Sequence, residues 1–79
     1  MRAITLSDTE VDLLAEDLPI GLTGVLNAAN GIVVQGSNTS GSGFATVATL
    51  TTAAPFQTVT IPYRYLKVST AAPATLLVN

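Results

Sequence analysis

Five carboxylates, Asp8, Glu10, Asp12, Glu16 and Asp17, stand within ten consecutive residues, and the chain has no other acid. Clustered carboxylates can hold a hard cation or exchange protons. Asp8-Thr9-Glu10-Val11-Asp12 follows the alternating oxygen ligands that open a calcium loop. Leu13 then stands where such a loop needs glycine, and Pro19 where it needs glutamate. The residues fit better as a solvated acidic cluster, or as acids at a helix N-terminus, where the macrodipole favours negative charge.

Beyond this cluster the means of chemistry are scarce. From Leu18 to Asn79 there is no Asp, Glu, His or Cys, and the charges are Arg64 and Lys67. General acid-base work needs a side chain titrating near the working pH, and transition metals need imidazole, thiolate or grouped carboxylates. Serine and threonine are plentiful, but a hydroxyl attacks only beside a base, and Lys67 lies near Arg64 on an expected strand. Gly41-Ser42-Gly43 lacks the third glycine and the lysine of a phosphate loop. Asn38-Thr39-Ser40 matches a glycosylation acceptor, which matters only in an exported protein. The expectation is a protein that is not an enzyme and holds no cofactor and no metal.

What remains is recognition. Arg64, Tyr65 and Lys67 would form an outward stripe on one strand, and Tyr and Arg are enriched where interfaces concentrate their energy. The acidic residues Asp8, Glu10 and Asp12 offer the opposite charge. Phe56 is grouped with Val59, Ile61, Leu66 and Val68 as core or inter-subunit surface. Asp8, Glu10, Asp12, Phe56, Arg64, Tyr65 and Lys67 are therefore the candidate contact residues.

The elements that must position them read as β. Residues 1–17 form an acidic N-terminal segment with a net charge of −4, and residues 18–79 a single β domain with a net of +2. In the first segment, Ser7-Asp8-Thr9-Glu10 matches a capping box, followed by Val11, Leu14 and Leu18 at helical spacing. Thr9, Val11 and Leu13 also alternate with acids as in a strand. A short helical turn or an irregular strand satisfies both patterns. Further on, Val25-Leu26-Asn27 and Ile32-Val33-Val34 flank Asn30-Gly31, a hairpin dipeptide. Residues 35–43 carry no apolar side chain and read as a flexible exposed loop. Phe44 to Thr52, Phe56 to Ile61, Tyr63 to Ser69 and Ala74 to Val78 read as strands, separated by Ala-Ala-Pro turns or by Pro62. Short strands so punctuated imply an all-β fold, a small antiparallel β-sandwich or barrel.

Composition limits the partners. A 79-residue domain buries only roughly 60 to 65% of its unfolded surface and usually needs reinforcement. Disulfides are excluded by the lack of cysteine, and metal is disfavoured, which leaves oligomerisation. Charged residues are 10% of the chain, against about 25% in an average soluble domain. Three basic residues and a net charge of −2 disfavour nucleic acid. No apolar run approaches the roughly 20 residues that cross a bilayer, so no membrane partner is expected. Asp8 interrupts the start before an apolar export region could form, which implies synthesis in a cytoplasm without export.

Leu18-Pro19-Ile20-Gly21-Leu22-Thr23-Gly24, Ile32-Val33-Val34-Gln35-Gly36-Ser37 and Tyr63-Arg64-Tyr65-Leu66-Lys67-Val68-Ser69 carry a resemblance. The chain resembles the small β-rich virion proteins of tailed bacteriophages that bind the outside of the capsid, the decoration or cement proteins. That resemblance spans most of the chain and implies a homo-oligomer, as a trimer, bound to the major capsid protein on the virion surface. It would stabilise the shell by bridging capsomers. A second reading, from the residues themselves, is a small carbohydrate- or ligand-binding β module built on Tyr63, Tyr65 and the 36–43 loop.

Overall fold

The computed structural model describes residues 2–28, 31–70 and 73–78. Its strands are β1 (Arg2–Leu6), β2 (Val11–Asp12), β3 (Leu22–Asn27), β4 (Ile32–Ser37), β5 (Ala45–Leu50), β6 (Phe56–Ile61), β7 (Tyr65–Val68) and β8 (Ala74–Val78). They form two four-stranded antiparallel sheets, ordered β1-β8-β3-β6 (sheet A) and β2-β7-β4-β5 (sheet B). The protein is an all-β sandwich.

Its topology follows from nested pairing. Strand β1 pairs with β8, β2 with β7, β3 with β6 and β4 with β5. The chain is thus one long hairpin, with its tip between β4 and β5, rolled so that β3 also meets β8 and β4 also meets β7. Eight strands wound in this way make a jelly roll.

Period-two alternation drives the roll. Ile4, Leu6, Leu22, Leu26, Ile61 and Leu76 are buried from sheet A, against Ile32, Val34, Leu50, Leu66 and Val68 from sheet B. Between them the neighbouring side chains point outward, since successive strand residues face opposite sides. Gln57 ties the sheets at one edge, its side-chain amide donating to the Thr49 carbonyl at 2.7 Å.

Three expectations need correction. Strands β3 and β4 lie in different sheets, so Asn30-Gly31 does not join a hairpin; Leu26 and Ile32 are buried in the same core from opposite sheets. Asn30 itself lies outside the described residues. Gln35, Gly36 and Ser37 belong to β4, not to a loop. The 38–43 tip that follows is hydrogen-bonded: the Ser37 hydroxyl lies 2.9 Å from the Thr39 carbonyl and 2.5 Å from that of Ser42, and accepts the Thr39 N–H at 2.9 Å.

The acidic segment is woven into both sheets. Strand β1 closes one edge of sheet A. The Ser7 carbonyl then accepts the Val68 N–H at 2.8 Å, and β2 joins β7 in sheet B. No helix occurs among the described residues. A single turn over residues 13–17 ends as a helix would: Leu18 N–H reaches Leu13 O (2.9 Å), Asp17 N–H reaches Leu14 O (3.2 Å), and Asp17 is left-handed at φ 62°. Its cap is Asp12, whose Oδ1 accepts the Leu14 N–H at 3.1 Å. The Ser7 hydroxyl instead accepts the Thr9 N–H, a local bend.

Candidate functional site

Asp12 ends β2 opposite Tyr65 in the ladder, which sets it beside Arg64. Arg64 Nε donates to Asp12 Oδ1 at 3.0 Å and Nη2 to Oδ2 at 2.9 Å, a two-point contact that holds both planes. The hydrogen bond to the guanidinium holds the Asp12 carboxyl below the usual carboxylate range and raises Arg64 in turn. Both groups are charged at neutral pH. Such a pair presents fixed opposite charges at one point of the surface.

Arg64 is fixed through its backbone as well. Its N–H donates to Asn38 Oδ1 at 3.0 Å, and its carbonyl accepts the Leu13 N–H at 2.8 Å. The guanidinium lies 5.1 Å from the centre of the Tyr65 ring. On the same outer face Lys67 stands 4.4 Å from the centre of the Phe44 ring, within reach of a cation–π contact.

Glu10 serves the tip. Its Oε1 accepts the Gly41 N–H at 2.7 Å and its Oε2 the Ser40 hydroxyl at 2.5 Å. Gly41 has φ +80°, a conformation that suits glycine where the turn brings its N–H to the carboxylate. Arg2 and Glu16 pair at the edge of sheet A, Nη2 to Oε2 at 2.6 Å.

Glu10, Asp12, Arg64, Tyr65 and Lys67 are thus gathered on sheet B and its loops. Asp8 is exposed in the bend between β1 and β2. Among the described residues no group of three or more His, Cys, Asp or Glu could hold a metal ion. Asn38 and Ser40 join the cluster without having been singled out for it; their only sequence signal was a polar tip in reach of an acidic strand.

Phe56 lies elsewhere. It faces outward from sheet A and is 61% exposed, while Ile61, Leu66 and Val68 are buried and Val59 partly so. Beside it an open groove of about 330 Å³ is lined by Thr23, Val25, Thr58 and Leu77. Strands β3 and β8 approach closely at Gly24, where a Cβ would fall 2.8 Å from the Leu77 carbonyl and 2.9 Å from Leu76 Cδ1. The outward positions of sheet A are Ala3, Thr5, Thr23, Val25, Asn27, Phe56, Thr58, Thr60, Thr75 and Leu77, and not one is charged. Val25 and Leu77 could have been recognised as outward from the period-two pattern about Leu26 and Leu76.

The molecule therefore has two unlike broad faces. No protein-family model, curated protein or solved structure matches this chain.

Proposed function

We propose that this chain is a non-enzymatic structural virion protein that coats the outside of a capsid and bridges its capsomers. The observation that carries the reading is the separation of charge. All eight charged residues lie on sheet B, its loops or the sandwich edge, and none at the outward positions of sheet A. One face can read a polar protein surface, while the other is suited to burial.

Attachment is multivalent. Each copy offers the Asp12–Arg64 pair, Tyr65 and Lys67 to the major capsid protein, and copies held together bind as one because the second contact forms at high effective concentration. The trimer implied by resemblance to decoration proteins is one assembly that would do this. Viral capsid and lectin domains both use jelly rolls, so fold alone does not choose between shell binding and ligand binding. The alternative ligand module is weaker on the residues: the Tyr63 ring is turned inward against Gly36, and the tip already spends its polar groups on Glu10, Ser37 and Arg64.

Co-sedimentation with intact capsids tests the proposal. Fixed-stoichiometry binding to shells, weakened by Arg64→Glu and absent with unassembled capsid protein, is the expected result. Failure to associate with shells from the virus or prophage that encodes the chain would overturn it, and a specific shift on glycan arrays would favour the ligand module.

A further inference from the structure

We propose that the outer face of sheet A is the seam between two copies of this chain, packed face to face about a twofold axis near Phe56. This goes beyond shell binding and does not depend on it.

The seam is self-complementary in charge. Two copies of a charged face repel, but this face is uncharged throughout, so an identical partner meets no like charge. Two of its hydroxyls already share a hydrogen bond: Thr23 and Thr60, paired across β3 and β6, lie 3.2 Å apart oxygen to oxygen. Burying polar groups costs little when they are already hydrogen-bonded.

Shape supports the same partner. Phe56 stands beside the groove walled by Val25 and Leu77, so the face carries both a projecting ring and a recess. A twofold operation places each ring against the other copy's recess, the isologous arrangement in which residue i meets j and j meets i. Sheets stacked face to face sit about 10 Å apart with side chains interdigitated. The molecule extends 30 × 27 Å across its broad dimensions, which bounds the face one copy can offer, and a standard stable interface buries roughly 800 Å² per partner, so the seam must use nearly the whole of that face. A seam of this kind closes with two copies, and a threefold assembly would have to use another surface.

The test is the mass of the full chain in solution across a concentration series. Wild type is expected at twice 8.1 kDa. Phe56→Asp and Val25→Asp should give the 8.1 kDa species with an unchanged β spectrum, association weakening by about two to three orders of magnitude for a buried unpaired carboxylate. Thr58→Lys, at an exposed position, serves if either variant fails to fold. Arg64→Glu, on the other sheet, should leave the mass unchanged. A monomeric wild type, a trimer, or an oligomer indifferent to the folded sheet A variants would overturn the seam, whereas loss of shell binding alone would not.

Discussion

The ring of Tyr63 occupies the space that a side chain on Gly36 would need. A Cβ built at Gly36 falls 2.5 Å from Tyr63 Cδ2, and the ring packs against the core from the connection between β6 and β7. Gly36→Ala should therefore destabilise the fold by about 1–3 kcal/mol through overpacking. In a Tyr63→Ala background the same change should cost less, because the ring atoms are gone and only the Tyr63 Cβ, 2.9 Å away, remains to give way. Urea midpoints for the four proteins measure the coupling, and strict additivity would refute the contact.

Leu66 and Val59 both face inward, but Leu66 is fully buried in the middle of sheet B and Val59 only partly buried on the edge strand β6. Leu66→Ala should cost about 2–5 kcal/mol. That is a large share of the roughly 4–12 kcal/mol expected for a domain of this size. Leu66→Asp should leave no soluble folded protein. Val59→Asp should be milder, since its carboxylate can turn to water at the edge. Expression in the soluble fraction and thermal melts decide the order.

The Asp12–Arg64 pair makes a signed pH prediction. Asp12 has a lowered pKa in the folded state, so its contribution is fully present above the ordinary carboxylate value near 3.8 and is lost as pH falls through the lowered one. Asp12→Asn should reduce the denaturation midpoint at pH 6. The difference from wild type should shrink in strong acid, where Asp12 is protonated. A difference independent of pH would mean that the pair contributes no charge effect.

The 38–42 tip should be removable. Gly36 faces Ala45 in the β4–β5 ladder, so deleting Asn38 to Ser42 leaves Ser37, Gly43 and Phe44 as a three-residue hairpin loop. The shortened protein should fold with reduced stability, having lost the Asn38 acceptor for the Arg64 N–H and the Glu10 clamp. Glu10→Ala alone should speed hydrogen exchange at Gly41 while changing global stability by about 1 kcal/mol or less. A deletion that abolished the β spectrum would contradict this.

Local signals read well here and partners did not. Strand β6 coincides with the alternation of Val59 and Ile61 against Thr58 and Thr60, and β8 with Ala74 to Val78, because period-two patterns record which face is buried. Strand β1 carries the same signal in Ile4 and Leu6 but is masked by the acidic run and the capping-box pattern that follow it. Asn30-Gly31 misled because a turn dipeptide reports local backbone freedom and not which strand the next one will join. Gly36 looked like loop for want of a side chain, when its bareness makes room for Tyr63, an arrangement visible only once two distant segments meet. Of the candidate site, the sequence offers Asp12 and Arg64 as opposite charges without joining them in one chain, since their meeting depends on β2 pairing with β7, and the outward turn of Phe56 needs the sheet to be seen from both sides.

Strand β8 runs inside sheet A, with β1 on one side and β3 on the other, and its register joins Arg2 to Val78. During synthesis, then, the earliest strand must wait for the latest before either finds its neighbour. Loop closure from Arg2 to Val78 precedes any reward from that pairing, which slows folding. A ribosome stalled before residue 74 would release a chain lacking an interior strand, with β1 and β3 left as bare sticky edges.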